Sequence, residues 1–223
     1  MSQIFLRRLL VTAGLMFGIQ ACGPESDGAV SADTAQTSTA LEEQEVSGAF
    51  AEVQAEPVPL LELADELAAQ AATLDAAVPP TIVCNPKWTT ITSVANGRYV
   101  SAEVGWGGTQ YGTLRARAYR ADLWERYQLC YFAGTYALKS LANGRYVSAE
   151  IGWGGDTFGT LRARATEVAA WERFYIIPLS GGQYALRSYA KNFYVSAEIG
   201  WAGDRYGTLR ARATAIQLWE LFR

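Results

Sequence analysis

Apolar and polar positions alternate in different ways along this chain, and each rhythm predicts a different element. An apolar run from Leu9 to Ile19 follows Arg7 and Arg8, and small Ala21 stands just before Cys22. This reads as an export signal over residues 1–21, and the run is too short to cross a bilayer as a helix. From Leu60 to Val78 leucines return at helical spacing, as Leu60, Leu63, Leu67, Leu74 and Val78. The spacing predicts a short amphipathic helix within 60–78, closed by Pro79 and Pro80. Beyond residue 80 the period becomes two. In "GTLRARA", Leu114, Ala116 and Ala118 fall on one strand face, with Arg115 and Arg117 on the other. "YALKS" (Tyr136 to Ser140) alternates too and runs into the turn "ANG", a hairpin signal.

The strand-like region repeats itself three times, with Tyr99, Tyr146 and Tyr194 in register, as are Trp124, Trp171 and Trp219. Between Ser93–Tyr127 and Ser140–Phe174, 24 of 35 aligned positions are identical, too many for chance resemblance. The third copy departs at Lys191, Asn192 and Phe193, where the others read "NGR", and has Ala202 in place of a glycine. Repeats are expected at about 85–130, 131–178 and 179–223, with about four short strands each. Propellers take four or more blades, and solenoids need polar caps. Three repeats that must hide their sheet edges therefore predict a closed threefold barrel.

Charge divides the chain at the same place. Residues 23–80 hold twelve Asp or Glu and no Lys or Arg, whereas residues 81–223 hold seventeen Lys or Arg against ten Asp or Glu. An overall charge of −3 thus conceals an acidic segment joined to a basic domain. The acidic, Ala-rich segment 22–80 reads as a tether, since most of it cannot bury enough apolar surface to order itself. "IQAC" at Ile19–Cys22 resembles a bacterial lipobox, which implies lipidation of Cys22 and a membrane anchor. Cys84 and Cys130 are the other cysteines, and an exported protein is expected to join them as a disulfide. With no histidine and no paired CxxC, neither a metal nor another cofactor is expected.

"LKSLANGRYVSAE" followed by "WERF" resembles the fascin-like β-trefoil signature, and the resemblance covers all three repeats. It implies an all-β fold, a six-stranded barrel capped by three hairpins with pseudo-threefold symmetry. Within that group the glutamate-then-tryptophan pattern looks most like the trivalent trefoil modules of bacterial glycan-degrading enzymes, which bind β-glucans. The "GWGG…GTLRARA" block departs from the fascins themselves.

Two tryptophan sets need different readings. Trp124, Trp171 and Trp219 have apolar neighbours and read as core. Trp106, Trp153 and Trp201 stand among glycines, which supply no side chains to cover a ring; an exposed indole suits the C–H face of a pyranose. The competing reading is a ring folded back to plug the barrel. Glu103, Glu150 and Glu198 precede those tryptophans by three residues, and a carboxylate can accept from two adjacent sugar hydroxyls. Equally, each could hold an arginine of its own repeat. Arg115, Arg117, Arg162, Arg164, Arg210 and Arg212 read as a solvated face or as partners of Glu125, Glu172 and Glu220.

Taken together, the sequence predicts an exported, lipid-anchored, monomeric β-trefoil that binds polysaccharide, β-glucan favoured, at three sites. The alternative is a surface trefoil that engages a protein or an anionic polymer through its arginines. Nucleic acid is not expected, because threefold symmetry spreads the basic groups instead of lining them in a track. Catalysis is not expected either: carboxylates placed one per repeat do not flank a single bond as a glycosidase pair must.

Overall fold

The computed structural model describes residues 56–73 and 80–223. The export signal, Cys22 and most of the acidic segment lie outside them. Among the described residues the chain forms one α-helix, α1 (Leu60–Ala72), and eleven strands. These are β1 (Val83–Thr89), β2 (Tyr99–Glu103), β3 (Thr113–Ala118), β4 (Tyr127–Phe132), β5 (Thr135–Ser140) and β6 (Tyr146–Ala149). They continue with β7 (Leu161–Ala165), β8 (Phe174–Pro178), β9 (Tyr184–Ser188), β10 (Tyr194–Glu198) and β11 (Thr208–Ala213).

The strands sort into two layers. Antiparallel pairing runs β1–β4–β5–β8–β9, and Phe222 closes the ring by bridging Tyr184 on one side and Ser93 on the other. This is a barrel of six, with the chain end as its short sixth stave. The hairpins β2–β3, β6–β7 and β10–β11 form the second layer. They close a ring of their own through Thr113–Arg162, Thr160–Arg210 and Thr208–Arg115. Two staves and one hairpin per repeat, three times over, make a β-trefoil. Tyr99, Tyr146 and Tyr194 open the first strand of each hairpin, as their alignment requires.

Backbone contact between hairpins is close enough to dictate residue type. The carbonyls of Gly112, Gly159 and Gly207 accept from the amides of Ala163, Ala211 and Ala116 in a neighbouring repeat, each at 2.7 Å. A Cβ on these glycines would stand 2.5, 2.4 and 2.5 Å from the alanine oxygens, and each glycine has φ +72°. Only glycine meets both demands.

Leu114, Leu161 and Leu209 and the neighbouring alanines fill the core with Tyr127, Leu129, Leu138, Phe174, Tyr184, Leu186 and Phe222. Cys84 and Cys130 face each other across β1 and β4 and form a disulfide, with Cα atoms 3.9 Å apart.

The helix lies within the expected 60–78 and packs onto the barrel. Leu60, Leu63, Ala64 and Leu67, at the i, i+3, i+4, i+7 positions of one stripe, join the same apolar cluster as the barrel. The helix touches β1, β4 and β8, which are not all neighbours, so it lies across the barrel mouth where β4 turns into β5. Polar contacts fix its position. Tyr136 donates to the Ala64 carbonyl at 3.1 Å, the Glu66 carboxylate accepts from Asn85 and Lys87, and the Val58 amide donates to the Trp88 carbonyl. The helix ends at Ala72, six residues short of the expected limit, and Leu74 and Val78 lie outside the described residues.

Candidate functional site

Each hairpin tip carries one of the glycine-flanked tryptophans. Trp106, Trp153 and Trp201 are half-buried, and one face of each ring is met by the guanidinium of Arg115, Arg162 or Arg210 at 5.1 Å from the ring centre. None of the three belongs to the hydrophobic core cluster, so they do not plug the barrel. A Cβ on Gly107 or Gly154, beside the rings, would meet nothing within 4 Å, which explains why Ala202 is accepted at the third tip. The first glycine of each motif has another purpose. A Cβ on Gly105, Gly152 or Gly200 would come within 2.9, 2.8 and 3.0 Å of the indole edge of Trp124, Trp171 or Trp219.

The tips enclose a depression of about 410 Å³ on the pseudo-threefold axis. Thr113, Thr160 and Thr208 form its floor, Trp153 and Trp201 its walls, and polar side chains such as Gln110 and Asp156 its rim. Trp106 lines an adjoining pocket of about 440 Å³ with Gln110 and Asp204. The third tip is partly filled: the Arg205 guanidinium lies 3.9 Å from the centre of the Trp201 ring and pairs with Asp156 at 3.0 Å.

The arginines fall into two kinds, one buried and one with side chains 41% exposed. Arg115, Arg162 and Arg210 are 5–6% exposed. Each reaches into a neighbouring repeat and donates to two carbonyls of its tip loop: Arg162 to Tyr111 (2.9 Å) and Gly108 (3.2 Å), Arg210 to Phe158 (2.8 Å) and Gly155 (3.1 Å), Arg115 to Tyr206 (2.9 Å) and Gly203 (3.0 Å). Burial pushes these three guanidinium groups below their ordinary range. Arg117, Arg164 and Arg212 sit at a β-bulge, where the pairing skips from Val100–Ala116 to Tyr99–Ala118 and equivalently in the other copies. The bulge re-aims the side chain and turns it onto Glu103, Glu150 or Glu198 in a two-pronged ion pair. The hydrogen bond that each donates to the carboxylate raises these guanidinium groups above their usual range.

Two expectations change as a result. Glu103, Glu150 and Glu198 are no more than 1% exposed. With both oxygens on an arginine they do not stand beside the tip tryptophans as a sugar clamp. Nor do the arginines pair with Glu125, Glu172 and Glu220. Those carboxylates accept instead from the amides of Asp122, Ala169 and Gln217, closing a single helical turn. Trp124, Trp171 and Trp219 stand on that turn, half-exposed and outside the core cluster. Their apolar neighbours Leu123 and Leu218 are themselves 48% and 55% exposed, so apolar company did not mean burial.

The third repeat compensates for its altered turn. Asn96 and Asn143 donate to the Tyr206 and Tyr111 hydroxyls of the adjoining repeats, at 3.2 and 3.1 Å. Lys191 replaces that asparagine, and the residue across the seam is Phe158, with no hydroxyl. Phe193 packs edge-on against Phe158 instead, centroids 6.0 Å apart. Asn192 takes the left-handed φ of +57° that glycine holds in the other copies, which asparagine tolerates better than most residues.

No protein-family model matches this chain, and no curated protein sequence does. Solved structures do. The designed threefold-symmetric protein ThreeFoil superposes with a TM-score of 0.53 at 12% identity, covering 61% of this chain and 96% of that one. An exo-β-1,3-galactanase from Clostridium thermocellum gives 0.52 at 12% identity, over 60% of this chain and 29% of that one. A Caenorhabditis elegans protein of unknown function gives 0.50 at 15% identity, over 67% and 97%. At such identities the likeness establishes the fold, a threefold β-trefoil.

Proposed function

We propose that this chain is a non-catalytic carbohydrate-binding protein whose hairpin tips bind polysaccharide, with β-glucan the favoured class. It acts as a monomer, exported and held at a membrane by lipid on Cys22. One observation carries the reading: two half-exposed indoles line an open depression at one end of a rigid barrel and a third lines the pocket adjoining it, with hydroxyl, amide and carboxylate groups between them. Indole faces receive the apolar side of a pyranose, and the rim groups offer its hydroxyls donors and acceptors. Single tips of this kind bind weakly, at about micromolar to millimolar Kd. Engaged together on a polymer they gain about 10²–10⁴ in avidity.

The arginine-driven alternative loses support, because all six repeat arginines are committed to carbonyls or carboxylates. The test is retention on immobilised β-1,3- and β-1,6-glucans, with Trp106→Ala, Trp153→Ala and Trp201→Ala separately and combined. The combined variant should lose about a hundredfold or more in retention. Trp201→Ala should matter least, since Arg205 already covers that ring. Unchanged retention in the combined variant sinks the reading.

A further inference from the structure

The other tryptophans, each packed against the first glycine of its own tip motif, line a second set of cavities. In repeat 3 a pocket of about 460 Å³ is bounded by Ser196, Arg212, Gln217, Leu218, Trp219 and Glu220. In repeat 1 its counterpart, about 290 Å³, is bounded by the equivalent Ser101, Arg117, Asp122, Leu123, Trp124 and Glu125. The coincidence of six equivalent residues in two separate cavities marks a feature built by the repeat.

In repeat 3 the floor holds an unused polar atom, a condition that Ser148 shares in repeat 2. Ser196 is 1% exposed, and its Oγ has no hydrogen-bond partner in the protein. A buried hydroxyl left in that state costs stability unless something else bonds it. Above it stands a guanidinium with five N–H groups, of which Arg212 commits Nε and one on Nη2 to Glu198. Glu220 uses Oε2 to accept from Gln217, and Trp219 adds a half-exposed indole.

Charge narrows the ligand. In repeat 3 one arginine is set against Glu198 and Glu220; in repeat 1 one arginine is set against Glu103, Asp122 and Glu125. An anion would meet excess carboxylate, and a cation would meet the guanidinium head-on. A neutral ligand that both donates and accepts, with one apolar face for the indole, offends neither.

We propose that the lateral pockets of repeats 1 and 3 are a second class of binding site, each taking one neutral polyhydroxylated ring. The buried glutamate of each repeat is then a positioning residue that holds the arginine over the pocket. Repeat 2 has Ala169 and Ala170 where the others have Asp122 and Leu123 or Gln217 and Leu218. It lacks both the rim leucine and the longer polar side chain, and binds more weakly.

Residue-resolved NMR of the indole N–H groups tests this in the wild-type chain and again with Trp106, Trp153 and Trp201 all replaced by alanine, where no tip site remains to move Trp124 or Trp219 through Gly105 or Gly200. Methyl β-glucoside and methyl β-galactoside are the neutral probes; glucuronate and tetramethylammonium are the charged ones. The Trp124 and Trp219 signals should shift and saturate with at least one neutral glycoside, and Trp171 should respond less. Ser196→Val should weaken the response at Trp219 about tenfold, as loss of a buried hydrogen bond does, while leaving Trp124 unchanged. That unaltered copy also shows that the variant is folded. If neither signal moves with either neutral glycoside, or if only a charged probe moves them, the proposal falls, whatever the tips bind.

Discussion

The hairpin layer and the barrel wall solve the same threefold problem by different means. Between hairpins the contacts are polar and aimed: an arginine across each seam to two carbonyls, and a glycine carbonyl to an alanine amide. In the barrel the contacts are apolar and differ from seam to seam. Cys84–Cys130 joins β1 to β4, Tyr184 lies against Phe222, and a helix seals the mouth. The sequence follows the contacts. "VSAE" and "GTLRARA" recur unchanged where hydrogen-bond geometry must be met, whereas the staves "YQLCYF" and "FYIIP" share little. Directional bonds admit few substitutes, while apolar packing accepts many of similar volume.

The largest effect should come from the wall. Replacing Cys84 and Cys130 by serine opens a loop with a sequence separation of 46 residues, for which chain entropy gives about 4 kcal/mol. Denaturant unfolding of the double variant should show that loss while the tips keep their affinity for glucan. In the hairpin layer, Glu150→Gln removes one charge of a pair whose arginine side chain is 41% exposed. Solvent shares the cost, so about 1–3 kcal/mol is expected, read as a lowered unfolding midpoint. Binding at Trp153 should persist, since that carboxylate is not at the tip. The smallest effect is at the odd seam. Phe158→Tyr with Lys191→Asn restores the pairing of the other two copies and should change stability by about 1 kcal/mol or less. Phe158→Tyr alone should destabilise, because its hydroxyl would lack the asparagine. Equal effects of the single and double changes would show that the seam is not coupled.

What the sequence disclosed follows the same division. Three near-identical copies gave away the trefoil, because strand alternation and turn residues are local signals. The ion pairs are half legible: the sequence allows Glu103 to be a sugar ligand or an arginine partner, and only a bulge at Arg117 decides it. A bulge adds one residue to one strand, which strict alternation cannot reveal. Trp124 misled because the segment is a single helical turn lying on the surface, where strand alternation has no meaning. The helix was visible in its leucine spacing, but its dock was not. A spacing shows that a face must be buried and is silent on where.

That docked helix gives the molecule a polarity. The described chain begins at Glu56 and passes directly into the element that shuts one end of the barrel, whereas the indole-bearing tips belong to the hairpin layer at the other. The N-terminal end of the described chain and the tryptophan-bearing tips are at opposite poles. Whatever acts on the chain at residue 56 therefore acts on the barrel end farthest from the tips.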